Sequence, residues 1–305
     1  MKESQAAAAA GVVSAIAVRG TRSLIGDYVA LAKPRLNMLV VATSAASYYL
    51  GTSGAIDLVR MALACTGTAL VAGGAAALNQ VFERDTDALM RRTRRRPVPG
   101  GRVGPDEATI YGLALSGSGI LLLATHANVL AAALALLTVT IYLTVYTPMK
   151  RRTPLATLVG AVPGALPALI GWSAAHGSVA WGGAALFAIV FLWQIPHFMA
   201  ISWMYRDDYG RAGFPMLAVI EPDGRRAGRQ ALLYAAVLMP VALVPSLILL
   251  AGAAYSVTAA VLGVGLLWLS ARFARMRSDE AARHLFFASI IYLPVLWIAL
   301  VADKL

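Results

Sequence analysis

Charge and cysteine are what this chain of 305 residues has least of: charged residues make up 13% of it, and Cys65 is its single cysteine. One thiol can form neither an internal disulfide nor a Cys-rich metal centre. Cys65 lies within an apolar stretch, where a thiol reads as a small core residue. A glycine-rich nucleotide loop, a His/Glu zinc helix and a Ser-His-Asp order are all missing, so those chemistries have no support. Acids are scarce too, 15 Asp and Glu against 26 Lys and Arg, for a net charge of +11.

What the chain has instead is length without charge. It is 59% hydrophobic with a mean hydropathy of +0.70, values that point to an integral membrane protein. Apolar runs fall near 36–51, 58–82, 108–124, 128–147, 155–174, 180–204, 231–251, 257–273 and 284–302. Each approaches the ~20 residues needed to cross hydrocarbon. The expected fold is therefore all-α, with about nine transmembrane helices. With a cytoplasmic N-terminus, 24 of the 26 Lys and Arg fall on inner segments, leaving only Arg60 and Lys304 outside. That is a positive-inside pattern with the C-terminus outside, and it accounts for the net charge without a nucleic-acid partner. Residues 1–26 resemble a signal-peptide core superficially, but Arg19, Arg22, Lys33 and Arg35 would then face outward. The preferred division is a mobile cytoplasmic tail over 1–26 and one transmembrane domain over 27–305.

The second run ends in Ala77-Leu78-Asn79-Gln80-Val81-Phe82-Glu83-Arg84-Asp85-Thr86-Asp87. Asn79, Glu83 and Asp87 recur at i, i+4 and i+8, so on a helix they drift about 40° and rise about 6 Å per step, forming one polar stripe. Oxygen ligands at a membrane edge suit a hard cation such as Mg²⁺ and the phosphates it carries. The basic run Arg91 to Arg96, with Arg94 and Arg95 at its centre, follows at once. It reads either as a diphosphate clamp or as a solvated loop drawn to anionic lipid heads.

Further polar groups gather at the same side. Lys33 and Arg35 flank Pro34 at the start of the first run, as topology anchors or as groups approaching an anionic substrate. Tyr146, Lys150 and Arg151 close the fourth. Pro163 and Pro167 interrupt the fifth, which is tolerated where freed backbone groups find protein or cavity partners. The sixth carries Trp193-Gln194-Ile195-Pro196-His197 and leaves through Tyr205, Arg206, Asp207 and Asp208. His197 reads as an interhelical hydrogen-bonder or as a contact to a large substrate. Two acidic inner loops facing each other would enclose one metal-diphosphate site. A lipophilic tail with an anionic head, as in a prenyl diphosphate, fits both the cavity and the charges. Runs seven to nine hold few ionisable groups and read as scaffold and lipid-facing wall.

Asn79-x-x-x-Glu83-x-x-x-Asp87 with the Arg-rich Pro97-Val98-Pro99 segment resembles the first acidic motif of the UbiA-type intramembrane prenyltransferases. The Glu83 position, Lys33-Pro34-Arg35, Tyr146-Thr147-x-x-Lys150-Arg151, Trp193 to Phe198 and Tyr205 to Tyr209 resemble the branch that farnesylates haem. The resemblance spans about residues 27–300. It implies nine helices around a central cavity and Mg²⁺-dependent transfer of a farnesyl group from farnesyl diphosphate to a vinyl carbon of haem B, giving haem O. Haem B is then substrate rather than cofactor. The resemblance places Asn79, Glu83, Asp87 and Asp208 at the metal. It places Lys33, Arg35, Arg94, Arg95, Tyr146, Lys150, Arg151, His197, Tyr205, Arg206 and Asp207 at the substrates. Implied surroundings are membrane lipid, a bacterial inner membrane, and a haem A synthase or terminal oxidase assembly pathway. Relatives with aromatic acceptors carry Asp-x-x-x-Asp in the second loop, whereas here Asp207 leads to Arg211 and Asp208 to Ala212. A quinone-type aromatic acceptor and an ion-coupled transporter remain as competing readings.

Overall fold

The computed structural model describes residues 24–305. The expected tail over 1–26 falls mostly outside the described residues. The first described helix, α1 (Leu24–Leu31), already includes the last three positions assigned to that tail. Among the described residues nine long helices follow, with short ones between them: α2 (Pro34–Gly51), α3 (Leu58–Phe82), α4 (Arg84–Leu89), α5 (Pro105–His126), α6 (Val129–Met149), α7 (Ala156–His176), α8 (Trp181–Met204), α9 (Arg206–Arg211), α10 (Leu217–Ile220), α11 (Arg225–Leu247), α12 (Ala253–Met276) and α13 (Asp279–Ala302).

Eight of the nine long helices are long and apolar enough to cross a membrane. The ninth, α2, is 18 residues long and opens with Pro34-Arg35-Leu36-Asn37. Its polarity has a structural reason, since Asn37 and Thr43 line the central cavity. Leu113, Leu121, Val261, Trp268, Ile291 and Ile298 are exposed on the outer faces, where water would leave them unsatisfied and acyl chains would not. The chain is a multi-pass membrane protein.

The helix ends differ from the apolar runs for local reasons. Helix α11 begins at Arg225 rather than near 231 because its first turns carry Arg225, Arg226 and Arg229, which are exposed and so hide the helix from a hydropathy reading. It stops at Leu247, and Leu249 then takes a left-handed conformation with φ 58°. Helix α13 starts at Asp279 because the Ser278 side chain accepts the Ala281 N–H at 3.2 Å, an N-cap that satisfies a free donor.

Small residues bring α3 and α5 together: a side chain at Gly67, Gly74, Gly112 or Gly119 would collide with the facing helix. Close backbone approach of this kind replaces the hydrophobic drive that is absent in lipid. A second, larger core joins α7, α8, α11, α12 and α13 through Trp193, Tyr255, Phe273, Leu285 and Tyr292. The cavity lies where the two groups of helices meet. At one end of the bundle the termini of α3, α6 and α8 come together with the loops that follow α3 and α8, and the polar groups concentrate there.

Candidate active site

Helix α3 ends at Phe82; Glu83 caps it with a φ of −104° and ψ of 9° that depart from helical values, and α4 begins at Arg84. The stripe survives this break because its backbone bonds continue. The Glu83 N–H donates to the Asn79 carbonyl at 3.0 Å, and the Asp87 N–H to the Glu83 carbonyl at 2.7 Å. Asn79, Glu83 and Asp87 are therefore aligned as the spacing predicts, and all three are buried.

Burying acids requires partners, and each has one. Lys150 reaches from the end of α6 to Glu83 Oε1 at 2.8 Å, and the Asn79 side-chain amide donates to Glu83 Oε2, also at 2.8 Å. Arg96 pairs with Asp87 Oδ2 at 2.6 Å, while the Thr93 hydroxyl donates to the Asp87 carbonyl. Thr147 Oγ1 lies 3.1 Å from Asn79 Oδ1. Burial disfavours the Lys150 ammonium, yet the charge and hydrogen bond of Glu83 hold its pKa above the ordinary lysine value.

Residues Ile141–Tyr146 within α6 form a turn of π-helix, a local widening frequent at functional sites. It sets Tyr142 and Tyr146 beside one another, ring centroids 5.5 Å apart, with Lys150 Nζ 4.3 Å from the centre of the Tyr146 ring. Gly160 leaves room for Tyr146, since any side chain there would strike its ring.

Lys33 is held by strain. Its backbone is left-handed, φ 48° and ψ 57°, a conformation costing a non-glycine residue roughly 1–3 kcal/mol. Two side chains fix the turn: Gln80 donates to the Leu31 carbonyl at 3.2 Å, and Asn37 to the Ala32 carbonyl at 2.6 Å. Burial first, then the charges of Arg96 and Lys150, push the Lys33 ammonium down to about 7. Lys33, Lys150 and Arg96 thus meet beside Glu83 and Asp87, an arrangement able to accept an anion.

The second loop is less regular. Asp208 is buried and pairs with Arg211 on the same short helix α9, whereas Asp207 is exposed. The two loops do meet. Arg92 lies 4.9 Å from the centre of the Tyr205 ring and 5.3 Å from that of Tyr209, and donates to the Tyr209 hydroxyl at 3.1 Å. Beneath this contact Met90 packs with Ala212 and Phe214.

Several expected substrate contacts lie elsewhere. Arg35, Arg94, Arg95 and Arg151 are exposed. Arg206 turns away to the Trp203 carbonyl at 2.8 Å and to Asp279 at 2.7 Å, fastening α8 to α13. Of the first loop's arginines Arg96 is the half-buried one that reaches an acid, Arg92 lies exposed across Tyr205 and Tyr209, and Arg102 ties the loop's far end to Asp27 at 2.8 Å. Sequence reasoning included Arg92 and Arg96 in the basic run but singled out Arg94 and Arg95, and it gave no role to Thr147 or Gln80. For Arg96 the one available signal was the Pro97 that follows it, which limits the backbone and turns the run inward.

Next to this cluster the cavity encloses about 380 Å³. Lys33, Tyr142 and Tyr146 share its wall with Trp193, Gln194, His197 and Phe198. Helix α7 runs unbroken through Pro163 and Pro167, where the sequence predicts an interruption. Gln194 donates to its Ala161 carbonyl at 3.1 Å, and Gly164 is the small residue that admits the Gln194 side chain. Leu293 also lines the cavity, so α13 belongs to the site as well as to the scaffold.

Among the described residues no three His, Cys, Asp or Glu side chains converge as a ready metal centre. The donor set nevertheless suits a hard divalent ion: carboxylates and an amide oxygen at one membrane edge. Lys150, Arg96 and Arg211 each supply positive charge to an acid, as such an ion would.

Residues 39–291 match the UbiA prenyltransferase family. A protoheme IX farnesyltransferase of Solibacter usitatus is 42% identical over 287 residues, covering 91% of this chain and 98% of its own. One from Opitutus terrae is 46% identical over 280 residues, covering 92% and 95%. Among solved structures, a digeranylgeranylglyceryl phosphate synthase superposes with a TM-score of 0.78 at 15% identity, covering 92% of this chain and 98% of its own. A UbiA homologue from Archaeoglobus fulgidus bound to GPP and Mg²⁺ does so with a TM-score of 0.66 at 16% identity, covering 90% and 99%. At those identities the likeness establishes the fold.

Proposed function

The chain belongs to the UbiA prenyltransferase family, and from that premise we propose that it transfers a farnesyl group from farnesyl diphosphate to a vinyl group of haem B, releasing diphosphate and giving haem O. The observation that carries this reading is identity of 42–46% with protoheme IX farnesyltransferases over more than nine-tenths of the chain. The acid and cation cluster beside an apolar cavity supports it chemically.

Lys33, Lys150 and Arg96 bind the diphosphate and neutralise the charge that grows on it as the allylic C–O bond breaks. Asn79, Glu83, Asp87 and Asp208 would hold Mg²⁺, which supplies further neutralisation of the leaving group when bound. Lys150 and Arg96 pair with Glu83 and Asp87 in the absence of ligand, so binding exchanges ion pairs rather than creating charges. The bonding electrons leave with diphosphate. The farnesyl cation is flanked by Tyr142, Tyr146, Trp193 and Phe198, whose ring faces stabilise positive charge in a water-poor cavity. The vinyl π electrons then form the new C–C bond, and water captures the cation left on the porphyrin side chain with loss of a proton.

The positive-inside distribution of the loops supports a reading in which the site end of the bundle faces the cytoplasm at a bacterial inner membrane, with the C-terminus outside. The product would pass to a haem A synthase or to terminal oxidase assembly. Residues 27–305 act as one catalytic domain after the short N-terminal tail. Purified membranes given Mg²⁺, haem B and farnesyl diphosphate should yield haem O by mass spectrometry. Diphosphate release only with an aromatic acid as acceptor would instead assign the chain to quinone precursors.

A further inference from the structure

His197 is held more tightly than a cavity wall needs. Its ring is sandwiched between Trp193, 5.1 Å away at 19°, and Phe286, 5.2 Å away at 22°. Its Nδ1 lies 2.8 Å from the hydroxyl of Ser289, a fully buried residue on α13. Ser289 also accepts the Trp193 indole N–H on its carbonyl at 2.8 Å, so one residue fixes both rings.

The serine has a single hydroxyl proton, and it is spent: Oγ donates to the Phe286 carbonyl at 2.6 Å. Towards His197 the same oxygen can only accept. Nδ1 therefore carries the imidazole proton, and Nε2 is left with a free lone pair. Nε2 has no hydrogen-bond partner among the described residues and is not one of the sealed, unpartnered atoms. Because His197 lines the cavity while Ser289 and Phe286 lie behind it, that lone pair opens onto the cavity. An acceptor behind the ring, taking the Nδ1 proton and so fixing tautomer and plane, is the usual support of a metal-binding imidazole.

We propose that His197 Nε2 is an axial ligand of the haem iron in the substrate complex and that Ser289 is its positioning residue. The assignment rests on the haem reading above and deepens it, since one bond to iron would fix the porphyrin's depth in the cavity. The charged groups at the cavity mouth are left free for diphosphate. Ligation requires no change of charge on the imidazole, which suits a site walled by Trp193, Phe198 and Leu293.

The test is titration of the purified protein, in lipid nanodiscs without farnesyl diphosphate, with ferric haem B, read by absorption and electron paramagnetic resonance. Wild type should show histidine-ligated haem. His197→Gly should lose that signature and regain it when imidazole is added, which also shows that the variant is folded. Ser289→Ala should keep the ligand type but weaken haem binding by roughly 10- to 100-fold, the usual loss when the acceptor supporting a ligand is removed. An unchanged spectrum in His197→Gly, or unchanged affinity in Ser289→Ala, overturns the proposal while leaving the haem acceptor intact. A wild-type protein that binds no haem overturns the acceptor assignment itself.

Discussion

The two acidic loops hold their buried carboxylates by different architecture. In the first, Glu83 and Asp87 are paired by groups that other segments deliver, Lys150 from the end of α6 and Arg96 from beyond a turn. In the second, Asp208 is paired by Arg211, one turn further along the same short helix, and Asp207 faces solvent. A charge held by distant segments is positioned by the fold as a whole. A charge held by its own turn follows that turn. The first loop is the preorganised half of the site, and the second closes against it through Arg92, Tyr205 and Tyr209.

The largest expected effects fall on the first half. Glu83→Gln and Asp87→Asn should each lower haem O formation by on the order of 10²–10³-fold or more, with membrane insertion and folding retained. Asp207→Asn should change it only a few-fold. Comparable losses in all three, measured as initial rates, would erase the distinction between the loops.

Stability sharpens the same contrast. Lys150 and Glu83 are each about nine-tenths buried, with side-chain exposures of 11% and 10%. Lys150→Met should therefore destabilise by about 3–5 kcal/mol, because it strands a buried carboxylate. Asp208 is as buried as Glu83, but Arg211 is 44% exposed, so water can take the place of its guanidinium and Arg211→Met should cost less, about 1–3 kcal/mol. Denaturant or thermal unfolding of the two variants in one detergent checks the ranking.

The bridge between the halves comes next. Arg92→Ala removes two cation–π contacts and a hydrogen bond, and should raise KM for farnesyl diphosphate by roughly tenfold while leaving haem affinity unchanged. An effect confined to kcat would mean that the bridge is not part of closure over that substrate.

The smallest effect is a proton. In the ligand-free site Lys33 loses its charge as pH rises through about 7, and a bound diphosphate restores the ammonium. Binding at pH 8 should therefore take up about one proton that Lys33→Gln does not, read by calorimetry in buffers of different ionisation enthalpy. Affinity for farnesyl diphosphate should fall above neutral pH in wild type and be flat in the variant.

The legibility of the site follows the same division. All nine long helices were visible as apolar runs because lipid demands them, and the Asn79, Glu83, Asp87 stripe because helical spacing is regular. The choice of cations was not visible. Six arginines run from Arg91 to Arg102, and only the fold decides that Arg96 turns inward to Asp87 and Arg92 lies across the second loop's tyrosines while Arg94 and Arg95 face water. Arg206 looked like a substrate group beside Asp207, but its partner Asp279 lies 73 residues away. The left-handed Lys33 and the π-turn before Thr147 leave no mark in composition, since both are imposed by packing.

The central claim is that the acid stripe drives farnesyl transfer to haem. Its most direct measurement is the stoichiometry of diphosphate and haem O formed by purified wild-type and Glu83→Gln protein with Mg²⁺, haem B and labelled farnesyl diphosphate. The account predicts one diphosphate released for each haem O in wild type and neither product above background in the variant. Diphosphate release without haem O, or haem O formation that survives Glu83→Gln, would contradict it.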